Sequence, residues 1–277
     1  MAKAKPAVKA SQAPVEAKNF DAAAYARSHD DPNVSAADIV RDLPSGASEE
    51  IAAVEARLSS LVETSDTFMQ RGAYTANRQR LHERIINDIL SDEKIAAATP
   101  PEGQAPTFTI LGGRGGSGKS WFEGNVYDPE KSVVLDADHI KGMLPEYEGW
   151  NAAQVHTESG QIFEKIVEIA RALGLNVVLD KTMKTAKSAI AEVQAFKAAG
   201  YRTEAHYMHL PRKEAAQRAA ERFLGESKRY VPVEIVLANT SNESTFDQVR
   251  LIVDRWSFRD NNVTRGAPPI LISEGGA

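Results

Sequence analysis

Short apolar runs alternate with helical patterns over the C-terminal part of the chain. The runs predict strands at TFTIL (107–111), SVVLD (132–136), NVVLD (176–180), TEAHYMHL (203–210) and PILIS (269–273). The first three runs are almost continuously apolar, which is typical of strands buried on both faces of a sheet. Helical patterns between the runs begin at proline or end at glycine. This alternation predicts an α/β fold with an about five-stranded, mainly parallel sheet and helices on both faces.

The N-terminal part has a different pattern. From Ser48 to Thr64 apolar side chains recur at helical spacing, and a second apolar stripe follows Tyr74. The stretch ATPPEGQAP breaks the second helix with three prolines and a glycine and indicates a linker. The first residues are rich in Ala, Lys and Pro without periodicity, which predicts disorder. The predicted parts are a disordered tail (1–19), a helical N-terminal extension (20–69) and a main domain (70–277).

Composition narrows the possible functions. The chain has 277 residues, of which 42% are hydrophobic, enough for one main domain with a substantial core. Its formal net charge of -5 argues against nucleic acid as a partner, because that binding requires a basic surface. The absence of cysteine excludes disulfides and thiolate chemistry. No apolar run approaches the roughly 18 residues of a membrane span, and the N-terminus does not resemble a signal peptide. We therefore expect a cytoplasmic protein without a membrane partner.

A glycine-rich stretch, LGGRGGSGKS, directly follows the first predicted strand. It matches the phosphate-binding pattern G-x-x-x-x-G-K-[ST], in which backbone N–H groups face a phosphate. In such a loop the lysine reaches the outer phosphates and the hydroxyl binds magnesium. The next stretch, SWFEGN, can begin a helix, which is the expected context. We predict that the phosphates of a nucleotide and Mg²⁺ bind here, held by Gly113, Gly115, Gly116, Ser117, Gly118, Lys119 and Ser120.

Two predicted strands end in the same tetrapeptide, VVLD, at Asp136 and at Asp180. Because parallel strands end at one edge of a sheet, both carboxylates should lie near the phosphate loop, together with Asp138. A carboxylate at this edge can bind Mg²⁺ or take a proton from an attacking hydroxyl. Spacing does not choose between Asp136 and Asp180 for the metal. A plainer role for one aspartate of DAD is to cap the helix that begins near His139.

Basic residues flank a glycine in the stretch QRAAERFLGESKRYVP (217–232). Arg222 and Arg229 have the arrangement of a mobile lid, whose arginines stabilise charge on a transferred phosphoryl group. For Arg218 and Lys228 the preferred interpretation is the solvated basic face of a helix.

Taken in order, these features resemble the zeta toxin family, which comprises P-loop kinases of toxin–antitoxin systems. The resemblance runs from about Tyr74 to the C-terminus. It rests on the helix TANRQRLHERIINDIL, the loop LGGRGGSGKS, the stretches DADHIK and LDKTMK, and the lid ERFLGESKRYVP. It implies an ATP-dependent and Mg²⁺-dependent kinase that phosphorylates the 3'-hydroxyl of UDP-N-acetylglucosamine, a nucleotide-sugar substrate.

The resemblance also implies roles for individual residues. It implies catalytic roles for Lys119, Asp138, Arg222 and Arg229. Substrate-binding positions would be Asp138, Lys141, Glu164, Thr182 and Lys184, and metal ligands would be Ser120 and Asp180. This chain has Asp180 and Lys184 where the best-known members have Glu and Arg.

Alternatives remain open for function and for the N-terminal segment. The chain could be a kinase of a nucleoside or a nucleic-acid end, or a non-catalytic module in which nucleotide binding switches conformation. The resemblance implies silencing by an antitoxin partner whose helix obstructs the nucleotide site. Residues 1–69 could inhibit in cis in the same way, or could form a linker or packing helix remote from the site.

Overall fold

A computed structural model describes residues 15–264 and 266–276. The predicted disorder of residues 1–14 therefore lies outside the described residues. Residues 15–19 differ from the expectation of a disordered tail. The backbone N–H of Val15 donates to the Ile272 carbonyl at 2.8 Å, and Ala17–Asn19 forms a 3-10 turn. This segment is held at the edge of the sheet, where β8 offers backbone hydrogen bonds to it.

Helices and strands alternate over most of the described chain. The helices are α1 (Ala22–His29), α2 (Ala36–Arg41), α3 (Ala47–Leu58), α4 (Thr64–Phe68), α5 (Ala76–Ile89), α6 (Asp92–Ala98), α7 (Ala137–Gly142), α8 (His156–Ala172), α9 (Ala186–Ala198), α10 (Arg212–Leu224), α11 (Val233–Leu237) and α12 (Asn242–Val249). The strands are β1 (Met69–Gln70), β2 (Ala73–Tyr74), β3 (Thr107–Gly112), β4 (Val133–Asp136), β5 (Val177–Asp180), β6 (Arg202–His209), β7 (Arg255–Asp260) and β8 (Ile270–Gly276).

The main sheet of the described residues has six strands in the order β4-β5-β3-β6-β7-β8. Neighbouring strands from β4 to β7 are parallel, and β8 pairs antiparallel with β7. The predicted α/β class with a mainly parallel sheet is confirmed. Strand β7 was not predicted because its sequence, RWSFRD, has only two apolar residues, Trp256 and Phe258, among polar and charged ones. Both aromatic rings enter the main core, whereas the flanking Arg255 and Arg259 do not.

The core lies on both faces of this sheet. On one face, Phe108 of β3 stacks on Phe196 of α9 with ring centroids 3.9 Å apart. On the other face, Phe122 is fully buried against Leu111 and Met208. Phe122 belongs to the segment that was expected to open a helix after the glycine-rich loop. That segment forms only a 3-10 turn, Lys119–Phe122, because the chain becomes extended at Glu123 and takes a left-handed φ of +72° at Gly124.

The N-terminal helices differ from the prediction in length. The helix predicted from Ser48 to Thr64 is α3, which ends at Leu58, and α4 begins separately at Thr64. The helix predicted after Tyr74 is divided into α5 and α6. The division occurs at Ser91, whose hydroxyl accepts from the Lys94 backbone N–H at 3.3 Å and so caps α6.

The N-terminal extension packs closely on the main domain. The Asp247 carboxylate of α12 accepts hydrogen bonds from the first backbone N–H groups of α1, at Ala22 (3.0 Å) and Ala23 (2.9 Å). Phe20 belongs to the same core cluster as the central strands. The predicted boundary between residues 69 and 70 falls inside the two-stranded hairpin of β1 and β2. Extension and main domain therefore share one core.

The helices of the described residues include none that combines the length and the apolar character needed to cross a membrane.

Candidate active site

The glycine-rich loop leaves β3 at the carboxyl edge of the sheet. Two of its glycines are required by geometry. Gly113 has a φ of +140°, and a Cβ there would lie 2.6 Å from the backbone oxygen of Met208. Gly118 has a φ of +87°, and a Cβ there would collide with the Asn261 side chain. Gly115 and Gly116 complete the turn between them.

The lysine and the serines of the loop are arranged for an anionic ligand. Lys119 Nζ donates to the Gly113 carbonyl at 2.9 Å and lies 3.4 Å from Asp180 Oδ1. Ser117 Oγ is buried and finds no hydrogen-bond partner among the described residues. A phosphate oxygen is the kind of acceptor that would satisfy it. Ser120 is exposed at the same turn. The loop therefore fits the nucleotide phosphates that the sequence predicts.

Arg114 lies inside this loop but does not face the phosphate position. Its side chain is only 1% exposed and forms a bidentate ion pair with Glu243 of α12, one arm of which measures 2.8 Å. Its Nε donates to the Asn239 carbonyl at 3.0 Å, and Asp30 of the extension lies 3.9 Å away. Burial raises the pKa of Glu243, but His209 and Arg114 outweigh it and hold the pKa at about 2. Arg114 therefore anchors the loop from behind.

The two VVLD carboxylates lie side by side. Strands β4 and β5 pair in register, so that Asp136 is aligned with Asp180. Asp136 Oδ1 accepts the Asp138 backbone N–H at 2.9 Å and caps α7, which is the plain role left open for one aspartate of DAD. Burial and the neighbouring charge of Asp136 raise the pKa of Asp180, although the charge of Lys119 acts in the opposite direction. The pKa of Tyr127 is raised to about 12 by burial and by the charges of Glu123, Asp180 and Asp136.

This negatively charged position fits Mg²⁺. Within residues 15–264 and 266–276, no group of three or more His, Asp or Glu side chains could hold a metal. Mg²⁺ characteristically uses one or two carboxylates, water and substrate phosphates instead of a cage of side chains. Asp180 and the exposed hydroxyl of Ser120 supply that kind of donor set, and the neighbouring carboxylate of Asp136 adds negative charge.

Asp138 lies between two cations. Its Oδ1 accepts from Lys141 Nζ at 3.1 Å, and its Oδ2 contacts the guanidinium of Arg229. Partial burial and the neighbouring Arg229 lower the pKa of Arg222, whereas Asp138 raises it. The structure therefore brings Asp138, Lys141, Arg222 and Arg229 together, with the lid segment over the end of β4.

The remaining predicted substrate residues are placed differently. Thr182 and Lys184 follow β5, outside any helix or strand. Their backbone carbonyls are held by the start of α12, where Asn242 donates to Thr182 O at 2.6 Å and Ser241 to Lys184 O at 2.7 Å. Glu164 is exposed in the middle of α8, and the contacts of the described residues do not connect it with Asp138 or the phosphate loop.

Two residues of the site were missed or misread in the sequence. Asn261 donates its side-chain amide to the Ser117 carbonyl at 2.7 Å. It follows the unpredicted strand β7, so no local pattern identified it. Arg218 was interpreted as part of a solvated face, but it donates to the carbonyls of Gly116 and Asn261, both at 3.3 Å. Its position one turn before Arg222 was an available signal.

Comparison with known proteins identifies the family. The model of the family described as Zeta toxin matches residues 92–261, which is more than half of the chain. The chain belongs to the zeta toxin family. Curated relatives include Toxin zeta of Streptococcus pyogenes, 27% identical over 157 residues, which cover 53% of this chain and 51% of that protein. Toxin zeta of Enterococcus hirae is 26% identical over 136 residues, 46% of this chain and 45% of that protein. The chain thus spans about half the length of these zeta toxins.

Solved structures share the fold of this zeta toxin family member. The complex AvrRxo1-ORF1:AvrRxo1-ORF2 with sulphate ions has a TM-score of 0.60 at 16% identity, covering 73% of this chain and 69% of that one. A structure of AvrRxo1-ORF1:-ORF2 with ATP gives 0.59 at 16% identity, with 73% and 68% covered. The PezAT chromosomal toxin-antitoxin system of Streptococcus pneumoniae gives 0.53 at 16% identity, with 74% and 83% covered. The resemblance to the zeta toxin family is confirmed.

Proposed function

We propose that this protein is an ATP-dependent kinase that acts as a zeta-like toxin, with the 3'-hydroxyl of UDP-N-acetylglucosamine as the preferred phosphate acceptor. One observation carries the proposal. Three features lie together at the ends of β3, β5 and β4. They are the phosphate loop with Lys119, the Asp180 carboxylate beside that lysine, and the Asp138 carboxylate near the two lid arginines. Phosphoryl transfer requires these parts and little covalent chemistry from the protein.

The nucleotide would bind in the glycine-rich loop. Lys119 would leave the Gly113 carbonyl and neutralise the outer phosphates of ATP, and the buried Ser117 hydroxyl would gain a phosphate acceptor. Ser120 and Asp180 would hold Mg²⁺, which supplies charge neutralisation at the phosphates when it is bound. The anchor of Arg114 on Glu243 would keep the loop in shape while the ligand exchanges.

The contact between Arg229 and Asp138 suggests how the lid and the base would work together. Arg229 contacts the carboxylate of Asp138, and the γ-phosphate of bound ATP would compete for its guanidinium. Once Arg229 turns to the phosphate, Asp138 can accept the proton of the acceptor hydroxyl. The acceptor oxygen bonds to the γ-phosphorus, the bond from that phosphorus to the bridging oxygen breaks, and ADP leaves.

The acceptor and the partner are proposed from the family. Lys141 and Lys184 offer cations near Asp138 and beyond the end of β5, which suits a substrate that carries a diphosphate. An antitoxin partner is supported by the neighbouring folds, because one of them belongs to the PezAT toxin-antitoxin system. We propose that such a partner silences this chain at the nucleotide site.

The test is phosphate transfer from γ-labelled ATP to a panel of acceptors. The panel contains UDP-N-acetylglucosamine, free nucleosides, oligonucleotide ends and buffer alone, and Lys119→Ala protein is the control for contaminating kinases. We expect label on UDP-N-acetylglucosamine from the wild-type protein and background from the control. Label on a nucleoside or an oligonucleotide end would replace the acceptor assignment. ATP binding without transfer to any acceptor would favour a non-catalytic nucleotide switch and contradict the kinase proposal.

A further inference from the structure

Each lid arginine is followed in the sequence by an aromatic residue, as Arg222-Phe223 and Arg229-Tyr230. The arginines lie on the side of Asp138, whereas the aromatic side chains are buried away from it, at 2% and 4% exposure. The two rings meet edge to face with centroids 5.0 Å apart. The position of the aromatic pair therefore limits where both guanidinium groups can reach.

Helix α3 of the N-terminal extension covers this aromatic pair. Ile51 and Val54, one turn apart on α3, form a separate hydrophobic cluster with Phe223 and Tyr230. The Tyr230 hydroxyl donates to Glu55 Oε1 at 2.6 Å, and burial together with this bond raises the pKa of Tyr230. The contact is specific, because a buried phenol requires a hydrogen-bond partner.

The same helix also holds the loop between α7 and α8, which follows the helix that carries Asp138. The Arg57 guanidinium of α3 stacks over the Trp150 ring at 3.8 Å. The lid backbone approaches that loop closely, since a Cβ on Gly149 would lie 3.1 Å from the Lys228 carbonyl. One helix thus contacts both the lid and the loop beyond the base.

Helix α2 adds a second attachment behind the lid. Ile39 is fully buried in a cluster with Ala215 and Ala219 of α10 and with Val236 of α11. The alanine side chains on this face of α10 are small, so their burial depends on a neighbouring apolar surface, to which Ile39 of the extension contributes. The sequence predicts a mobile lid around Gly225, and the structure packs its Phe223 and Tyr230 against the extension.

We propose that α3 braces the lid and that Tyr230 and Glu55 are positioning residues for Arg229 in phosphoryl transfer. This inference rests on the proposed kinase function for its kinetic part. It differs from cis-inhibition, because the α3 residues described contact the rear of the lid, and Asp138 and Lys119 receive their contacts from the main domain. Loosening the brace should therefore reduce activity.

The first test does not depend on turnover. Full-length protein without nucleotide is exposed to trypsin, and cleavage after Lys228 and Arg229 is timed by mass spectrometry. Tyr230→Phe and Glu55→Ala each remove the same hydrogen bond, and each should accelerate lid cleavage about fivefold, the population change expected for one such bond. The double variant should cleave no faster than either single variant. Glu49→Ala, an exposed change in the first turn of α3, is the matched control and should cleave like wild type. Lid cleavage unchanged in both brace variants would overturn the proposal.

The second test separates positioning from general stability. Tyr230→Phe should lower kcat for transfer to UDP-N-acetylglucosamine about fivefold, with the KM for ATP within about twofold of wild type. In an Arg229→Ala background the same change should have no further effect on kcat, because Tyr230 acts through Arg229. If Tyr230→Phe lowered kcat by the same factor in the wild-type and the Arg229→Ala backgrounds, the positioning role would be overturned. Higher activity in Glu55→Ala protein would also overturn it. If the brace variants are cleaved faster in the lid but the wild-type protein transfers phosphate to no acceptor, the kinase proposal is refuted and the brace remains supported.

Discussion

The tetrapeptide VVLD occurs twice, on adjacent strands aligned residue for residue, yet its two aspartates have different surroundings. Asp136 at the end of β4 accepts the Asp138 backbone N–H and caps α7. Asp180 at the end of β5 is aligned with Leu111, two residues before Gly113, and its carboxylate faces Lys119 at 3.4 Å. The difference comes from strand order, because β5 is next to β3 and β4 is one strand farther away.

The comparison teaches what a local motif can and cannot determine. Apolar runs make both segments strands, and the parallel sheet brings both carboxylates to one edge. Whether a carboxylate then serves a helix or a ligand depends on the next segment of the chain and on the neighbouring strand. A helix begins directly after Asp136, whereas an irregular segment comes after Asp180 and leaves its oxygens to face the loop lysine. We propose Asp180 as the metal ligand and Asp136 as a structural cap.

The largest expected effect is at Asp138, whose backbone N–H donates to the Asp136 carboxylate. Asp138→Asn removes the proposed proton acceptor but keeps the shape of the side chain and the backbone N–H. Phosphate transfer should fall by roughly a hundredfold or more, while ATP binding is retained. Steady-state transfer and calorimetric ATP titration measure the two properties. If Asp136→Asn were the more damaging change with ATP binding intact, the roles of the two residues would be reversed.

A smaller effect is expected at Asp180. Asp180→Asn should weaken the affinity for Mg²⁺ by at least the about 10–100-fold that loss of an outer-shell partner costs in a metal site. Transfer measured against Mg²⁺ concentration gives this value, and a chelator should abolish transfer in the wild-type protein. Asp136→Asn is the matched control on the neighbouring strand. A larger shift in Mg²⁺ dependence for Asp136→Asn than for Asp180→Asn would assign the metal to the other aspartate.

The placement of the phosphate loop and the strand-end acids at one edge of the sheet could be predicted from sequence because their signals are local. The glycine pattern, the apolar strands and the acids at their ends each occupy no more than about ten consecutive residues, and the parallel sheet then brings them together. Strand β7 escaped prediction because it has only two apolar residues, Trp256 and Phe258, among polar and charged ones. The helix expected from SWFEGN after the phosphate loop is only a 3-10 turn, since the chain becomes extended at Glu123 and left-handed at Gly124.

The supports of the site could not be predicted because they join distant parts of the chain. Arg114 and Glu243 are 129 residues apart, Asn261 and Ser117 are 144 apart, and Tyr230 and Glu55 are 175 apart. Arg114 lies in a phosphate loop, but the buried carboxylate of Glu243 and the Asn239 carbonyl hold its side chain away from the phosphate position. The cost of leaving a buried charge or polar group without a partner explains why such pairs are made, but it does not identify the partners in advance.

The smallest expected effect concerns the stability that Asp136 provides. Asp136→Ala removes the cap of α7 and should lower the free energy of unfolding by about 1 kcal/mol. Asp136→Asn should behave differently, because asparagine accepts the same hydrogen bond and also removes the negative charge beside Asp180. At neutral pH we expect Asp136→Asn protein to be at least as stable as wild type in urea unfolding. With Mg²⁺ at saturation, both variants should retain more transfer activity than Asp180→Asn protein. Equal losses of stability in the alanine and asparagine variants would contradict the capping role, and the distinction between the two VVLD ends would then rest on Lys119 alone.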